Sequence, residues 1–266
     1  MAAPSVIHVP DSSLFVSEPP PQWFGNDPNP RNAPGWTNGN WLKSRFHTNF
    51  AEHTGGRNNI GVLRVCNDDL VQPSRGFGTH PHRDAEIATY IVQGRLTHAD
   101  SMGTKETLGP GSIQFMTAGT GVQHSEFNES ATEPLRFIQM WYTPRQRGLP
   151  PNYGSYSAPA GPSVDSWRHL VGDVAGKDSS PDVRINTDAN IYASRITAGA
   201  SLRMDLRGGR QAYILSLEHD VSMSASAKEL HLEQHDAALV TGPSALEFAA
   251  PAGGKGGHVL VIEMSA

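Results

Sequence analysis

Glycine and proline recur so often along this chain, 27 and 20 times in 266 residues, that a long helix has little room between them. What lies between the breaks is short and rich in Ile, Val, Phe, Tyr or Trp: 61–66 (GVLRVC), 86–92 (EIATYIV), 112–116 (SIQFM) and 135–142 (LRFIQMWY). Such runs, closed by turn residues, read as strands. Gln93-Gly94 and Gly109-Pro110-Gly111 fall where tight reversals are needed, because glycine takes positive φ without steric cost. A second block repeats the rhythm at 191–196, 201–206, 211–217, 237–240 and 258–264 with few identities, so the repeat is architectural. The expected class is all-β, two antiparallel barrels with few short helices.

The length suits two domains of ordinary size. Residues 1–40 hold eight prolines, including Pro19-Pro20-Pro21, and are expected as an extended arm draped over the body. The first barrel is expected over 41–145, a connector rich in Pro, Gly, Ser and Asn over 146–165, and the second barrel over 166–266. Lys and Arg number 21 against 26 Asp and Glu, and no basic run interrupts the net charge of -5, which argues against direct nucleic-acid binding. The single cysteine, Cys66, excludes an internal disulfide framework and a cysteine-based zinc site. With no apolar stretch long enough to cross a bilayer, the expectation is no membrane partner and a cytoplasmic protein, nuclear location being open in a eukaryote.

Two histidine motifs carry the chemistry. His80-Pro81-His82 places two imidazoles on one face of an extended strand, with Pro81 turned away. His124-Ser125-Glu126 repeats the spacing on a later segment, after Gly119 and Gly121, which suggest a close approach of the chain. On neighbouring strands these pairs would close a site of three histidines and one carboxylate. That set lacks a thiolate and leaves coordination positions open, so it suits one divalent ion, Fe(II) first, with Mn, Ni, Co or Cu as other occupants and Zn less favoured. His47, His53, His98, His169, His219, His231, His235 and His258 have no comparable partner spacing and are expected to be ordinary hydrogen-bonded or surface residues.

The same segments resemble the cupins. In the first cupin motif, His80-x-His82 is followed by three residues, Glu86, and seven more to Gly94; the leading glycine is off-register, Ser74 standing six before His80. In the second, Gly111 precedes Thr117-Ala118-Gly119, His124 and Asn128, with Thr117 in place of proline and the gap before His124 two longer. GFGTHPHRDAEIATYIVQG, THADSMG, MTAGTGVQHSEFN and IQMWYTP resemble the pirin branch in particular, especially bacterial pirin-like proteins described as quercetin 2,3-dioxygenases. The likeness is dense from Trp41 to about Tyr153, including WLKSRFHTNFA and Asn67-Asp68-Asp69.

This resemblance implies a bicupin of two jelly-roll barrels packed face to face. It implies iron in the N-terminal barrel, held by His80, His82, His124 and Glu126. Glu86, in the slot of the usual cupin carboxylate, would either orient a ligand imidazole or be satisfied elsewhere. In the second barrel a count of six from Gly199 reaches Asp205-Leu206-Arg207 where HxH would stand; arginine is no metal ligand, so that barrel is expected to be metal-free. The implied activity is O2-dependent cleavage of a flavonol with release of CO, Glu126 acting as catalytic base. Phe77, Met116, Phe127 and Met140 are candidates for substrate contact or for barrel core. The rival reading is a non-catalytic iron-binding redox sensor or regulator acting through protein contacts.

Overall fold

Strand pairing accounts for nearly all regular structure in the computed structural model of the chain, which describes residues 4–30, 34–176 and 181–266. The helices among the described residues are single 3-10 turns at Asp11–Ser13 and Pro21–Phe24. No helix among them is long and apolar enough to cross a membrane.

The chain divides into two units: Phe15–Asn59 with Leu63–Gly161, and Pro162–Ala266 with Ile60–Val62 and the N-terminal residues up to Leu14. The first unit has a seven-stranded sheet in the order Asn152–Tyr156, Ile113–Thr117, Glu86–Gln93, Leu135–Tyr142, Leu63–Val71, Leu42–Phe46, Phe15–Ser17. Its four-stranded sheet runs Gly76–His82, Val122–Phe127, Leu96–Asp100, Lys105–Leu108. The second unit repeats this plan. Its larger sheet runs Ser5–Val9, Ala237–Thr241, Arg210–Glu218, Gly257–Ser265, Ala189–Ile196, Arg168–Asp173, Val183–Ile185, and its smaller one Ser201–Leu206, Ser244–Ala249, Val221–Ala225, Lys228–Leu232. Among the described strands, pairing is antiparallel except between Arg168–Asp173 and Val183–Ile185. Each unit is thus of the expected jelly-roll type, built as two sheets that are not joined into a closed cylinder.

Burial follows sheet by sheet. Strands of the smaller sheets alternate, as in Val122–Phe127 and Val221–Ala225, with one face turned inward. Central strands of the larger sheets, such as Glu86–Gln93 and Gly257–Ser265, are buried on both faces and are mostly apolar. In the first unit Trp41, Leu42, Val71, Ile91, Leu96 and Phe137 belong to one apolar cluster. Each such side chain contributes about 1.5–3 kcal/mol by leaving water. The second unit packs one larger cluster that includes Ile214, Val240, Leu246, Phe248 and Val261.

Two boundaries differ from the sequence expectation. The first 40 residues are not one arm: Ser5–Val9 adds an edge strand beside Ala237–Thr241 in the second unit, whereas Phe15–Ser17 adds one beside Leu42–Phe46 in the first. Both lie at sheet edges, where nearby prolines cost no ladder hydrogen bond. The described stretch between Ser17 and Trp41 also makes polar contacts. Trp41 Nε1 donates to Pro19 O at 2.6 Å and Asn26 Nδ2 to Gly76 O at 2.8 Å. The supposed connector 146–165 contains Asn152–Tyr156, which pairs with Ile113–Thr117 as part of the first sheet. Its Pro and Ser content masked a strand whose Tyr153 and Tyr156 supply the β propensity.

Candidate metal centre

Gly76–His82 and Val122–Phe127 are neighbours in the smaller sheet of the first unit, with His80 directly opposite His124 and His82 opposite Val122. Alternation turns His80 and His82 inward, half-buried, while Thr79 and Pro81 are exposed. Because Gly76–His82 is an edge strand, the missing N–H of Pro81 breaks no inner ladder. Two glycines permit the close approaches. A Cβ on Gly76 would lie 2.3 Å from Glu126 O, beside the register shift between His124 and Glu126. At Gly119 (φ +45°) it would lie 1.9 Å from Leu149 O, just before the His124 strand.

The three imidazoles His80, His82 and His124 offer nitrogens that all lie within 4.8 Å of one another. Their ring centroids are 4.6 to 4.9 Å apart. His80 Nδ1 donates to Gly78 O at 2.8 Å, which leaves a lone pair on Nε2, and that nitrogen stands 3.1 Å from His124 Nε2. His82 Nε2 is buried without a hydrogen-bond partner, and its ring meets Trp141 edge-on at 4.7 Å. Burial, then the neighbouring His80, hold His82 down at about 4. Burial and the adjacent His80, His82 and His98 hold His124 at about 2. Both rings are therefore neutral at physiological pH, the state in which imidazole binds metal.

Glu126 lies one alternation further along. Its carboxylate is grouped within 4.8 Å of His124 and His98 nitrogens, a cluster that shares His124 with the first. Oε1 accepts from Gln114 Nε2 at 2.9 Å and Thr89 Oγ1 at 3.2 Å, and Oε2 accepts from Gln139 Nε2 at 2.7 Å. Burial nevertheless pushes this carboxyl up to about 7, against the pull of those three donors.

Of the residues singled out in the sequence, His80, His82 and His124 come together and Glu126 joins them through His124. Glu86 does not. Thr89 and Gln114 reach Glu126, and Glu86 and Thr117 stand three residues away on the same strands, hence on the opposite sheet face; there Glu86 accepts from Thr117 Oγ1 at 2.9 Å. Met140 is on that opposite face too, buried and touched by Tyr142 Oη at 3.4 Å, so it offers nothing to a ligand at the histidines. Phe77 packs on the apolar cluster and on Phe137, and Met116 packs with Ile87 and Val122. Phe127 is partly buried beside Gly76.

His98, expected to be ordinary, belongs to the site. It is fully buried, with Nδ1 3.4 Å from His124 Nδ1 and Nε2 3.0 Å from Asp100 Oδ2. Burial lowers its pKa while Asp100 pulls the other way. Asp100 itself stays below its ordinary value: burial opposes ionisation, but His98 and the N–H groups of Thr104 and Met102 outweigh it. The available signal was the i, i+2 spacing of His98 and Asp100 within THADSMG.

In the second unit, counting from the same end of the matching strand pair places Leu206, Met204 and Leu246 where the first has His82, His80 and His124, and Phe248 where it has Glu126. Asp205 and Arg207, assigned to those positions by the motif count, are exposed instead. Clusters of three or more possible ligands among the described residues lie in the first unit.

The first-unit residues fit a divalent ion. His82 Nε2 lacks any protein partner, the donors are imidazoles with a carboxylate at hand, and two nitrogens bound at right angles at ~2.0–2.1 Å would stand ~3 Å apart, as His80 and His124 do.

Comparison with known proteins agrees in both halves. The family profile described as Pirin matches residues 31–142, and one described as Quercetinase C-terminal cupin domain matches 174–264. A pirin-like protein of Caulobacter vibrioides is 35% identical over 190 residues, 71% of this chain and 81% of that protein. A Pseudomonas aeruginosa protein provisionally named quercetin 2,3-dioxygenase is 37% identical over 73% of this chain and 83% of its own. The Escherichia coli K12 quercetin 2,3-dioxygenase is 45% identical over 123 residues, 46% of this chain and 53% of that enzyme. Among solved structures, the E. coli pirin YhhW in complex with nickel(II) superposes with a TM-score of 0.78 at 25% identity, covering 98% of this chain and 99% of that one.

Proposed function

Since the chain belongs to the pirin family, we propose that it is a metal-dependent dioxygenase that cleaves a flavonol such as quercetin, its ion held by His80, His82, His124 and Glu126. The observation that carries this reading is the convergence of three imidazoles, one with an orphaned buried nitrogen, beside a buried carboxylate. Fe(II) is the proposed ion, Mn, Ni, Co, Cu and Zn being the other candidates, and once bound it supplies Lewis acidity toward the substrate's oxygens and electronic access to dioxygen.

The chain's own contribution centres on Glu126. Its carboxylate takes the proton of the flavonol 3-hydroxyl as general base, and burial makes it a stronger base than an exposed glutamate. Gln114, Gln139 and Thr89 hold its oxygens in place through the transfer. The heterocycle then gains both atoms of O2 and loses one ring carbon as CO. Trp141, whose indole packs near-perpendicular to His82, forms part of the apolar wall that keeps water from the reacting oxygens.

The test is direct. Protein loaded anaerobically with Fe(II), then mixed with quercetin and O2, is expected to release CO and bleach the flavonol absorbance. Absence of turnover at full metal occupancy would exclude the dioxygenase reading in favour of a regulatory metal site.

A further inference from the structure

Behind His124 the polar atoms form a single buried line whose proton positions determine one another. We infer that Asp100 and His98 set the tautomer of His124, which makes them positioning residues for the metal centre. The inference rests on the metal-site reading above, but not on the identity of the reaction.

The line begins at a carboxylate. Asp100 Oδ1 accepts the backbone N–H groups of Met102 and Thr104 at 2.9 and 3.0 Å, and Oδ2 stands 3.0 Å from His98 Nε2. Both side chains, His98 and Asp100, are fully shielded from solvent. A carboxylate only accepts, so His98 carries its proton on Nε2. A neutral imidazole has one N–H, which leaves a lone pair on His98 Nδ1, facing His124 Nδ1 at 3.4 Å. His124 must then donate from Nδ1 and present a bare Nε2. That nitrogen lies 3.1 Å from His80 Nε2, which Gly78 O strips of its proton in the same way. Two lone pairs so close repel one another, and a cation that accepts both relieves the repulsion.

The opposite polarity would set a bare His98 Nε2 against a buried carboxylate, an unfavourable contact where water cannot intervene. The backbone registers the same arrangement: Asp100 pairs with His124 and His98 with Glu126 on adjacent strands. Tyr153 stacks on the His98 ring at 4.5 Å and 21° between planes, while its hydroxyl donates to Glu106 at 2.8 Å, so the ring is held in the plane that joins Asp100 to His124. Metal-bound histidines commonly require such an outer partner on the second nitrogen; here the partner is another histidine with its own carboxylate.

Asp100→Asn is the decisive variant because it is isosteric. Its amide oxygen stays on the Met102 and Thr104 N–H groups, which turns the amide NH2 toward His98 Nε2 and reverses every proton along the line. Metal-free protein, followed by 15N-detected imidazole NMR, should show His124 protonated on Nδ1 in the wild type and on Nε2 in Asp100→Asn. Chelator competition with Ni(II) should show ~10–100-fold weaker binding in the variant. His98→Phe, which keeps the packing on Tyr153, should also lose Ni(II) affinity. Wild-type protein with His124 protonated on Nε2, or both variants binding Ni(II) as tightly as the wild type, would overturn the inference. Wild-type protein that binds Ni(II) with these tautomers yet, when loaded with Fe(II), leaves quercetin intact under O2 would remove the dioxygenase reading and leave this one standing.

Discussion

In the first unit the interior around His124 is lined by Thr89, Gln114, Gln139 and Glu126, all buried and joined by hydrogen bonds. In the second unit, sheets whose central strands follow the same order enclose Ile214, Val240, Leu246, Phe248 and Val261. The same frame therefore carries either a polar constellation or an apolar core. A buried carboxylate and its partners cost desolvation free energy that close packing of aliphatic and aromatic side chains does not, so the polar interior is a burden on stability that a ligand must justify. A polar interior and an apolar one are divided between two copies of one architecture.

Four measurements would break or sharpen that contrast. The largest effect is expected from His124→Ala, which removes the imidazole shared by both ligand clusters: bound metal should fall from one ion per chain to none, with all turnover, by elemental analysis of the dialysed protein. Retention of the ion at full occupancy would show that His124 does not hold it. Next, Glu126→Gln should lower flavonol turnover by ~10²–10⁴-fold, the usual contribution of a positioned base, while the melting temperature holds or rises because a neutral amide replaces a buried acid. Activity close to wild type with metal in place would remove Glu126 as base.

In the second unit, Phe248→Ala should cost about 3–5 kcal/mol of unfolding free energy in urea titration and leave Ni(II) affinity unchanged. A parallel loss of metal would show that the two interiors are not independent. The smallest effect concerns Glu218, which accepts from His258 Nδ1 at 2.8 Å and Arg195 Nη2 at 2.8 Å. Burial opposes its ionisation, but these donors win and hold it at about 2. Its folded pKa lies below the ordinary 4.5, so its stabilisation is present above pH ~4.5 and is lost as pH falls toward 2. Glu218→Gln should flatten the decline of melting temperature across that window, and an unchanged acid limb would show that the pair contributes nothing there.

Much of the site was legible because its signal is local. HPH and HSE place side chains by strand alternation alone, and Gly119 betrayed the tight approach before the second motif. What stayed hidden depends on parity or on pairing between distant strands. Glu86 fits the spacing of a ligand, yet three residues separate it from Thr89, and an odd separation sends it to the other face. A one-residue slip likewise put Asp205 and Arg207 in place of Met204 and Leu206 in the second unit. His98 and Asp100 gain their meaning only when Leu96–Asp100 pairs with Val122–Phe127, which no local pattern announces. The N-terminal 40 residues read as one arm because proline density is visible in sequence, whereas the choice of sheet edge for each short strand is not.

The central claim is that one unit alone holds the metal, between its three histidines. Anomalous diffraction at the nickel edge from Ni(II)-loaded crystals tests it most directly. One peak per chain in contact with Nε2 of His80, His82 and His124 is the predicted result; a peak within the second unit, or none at those nitrogens at full loading, would contradict it.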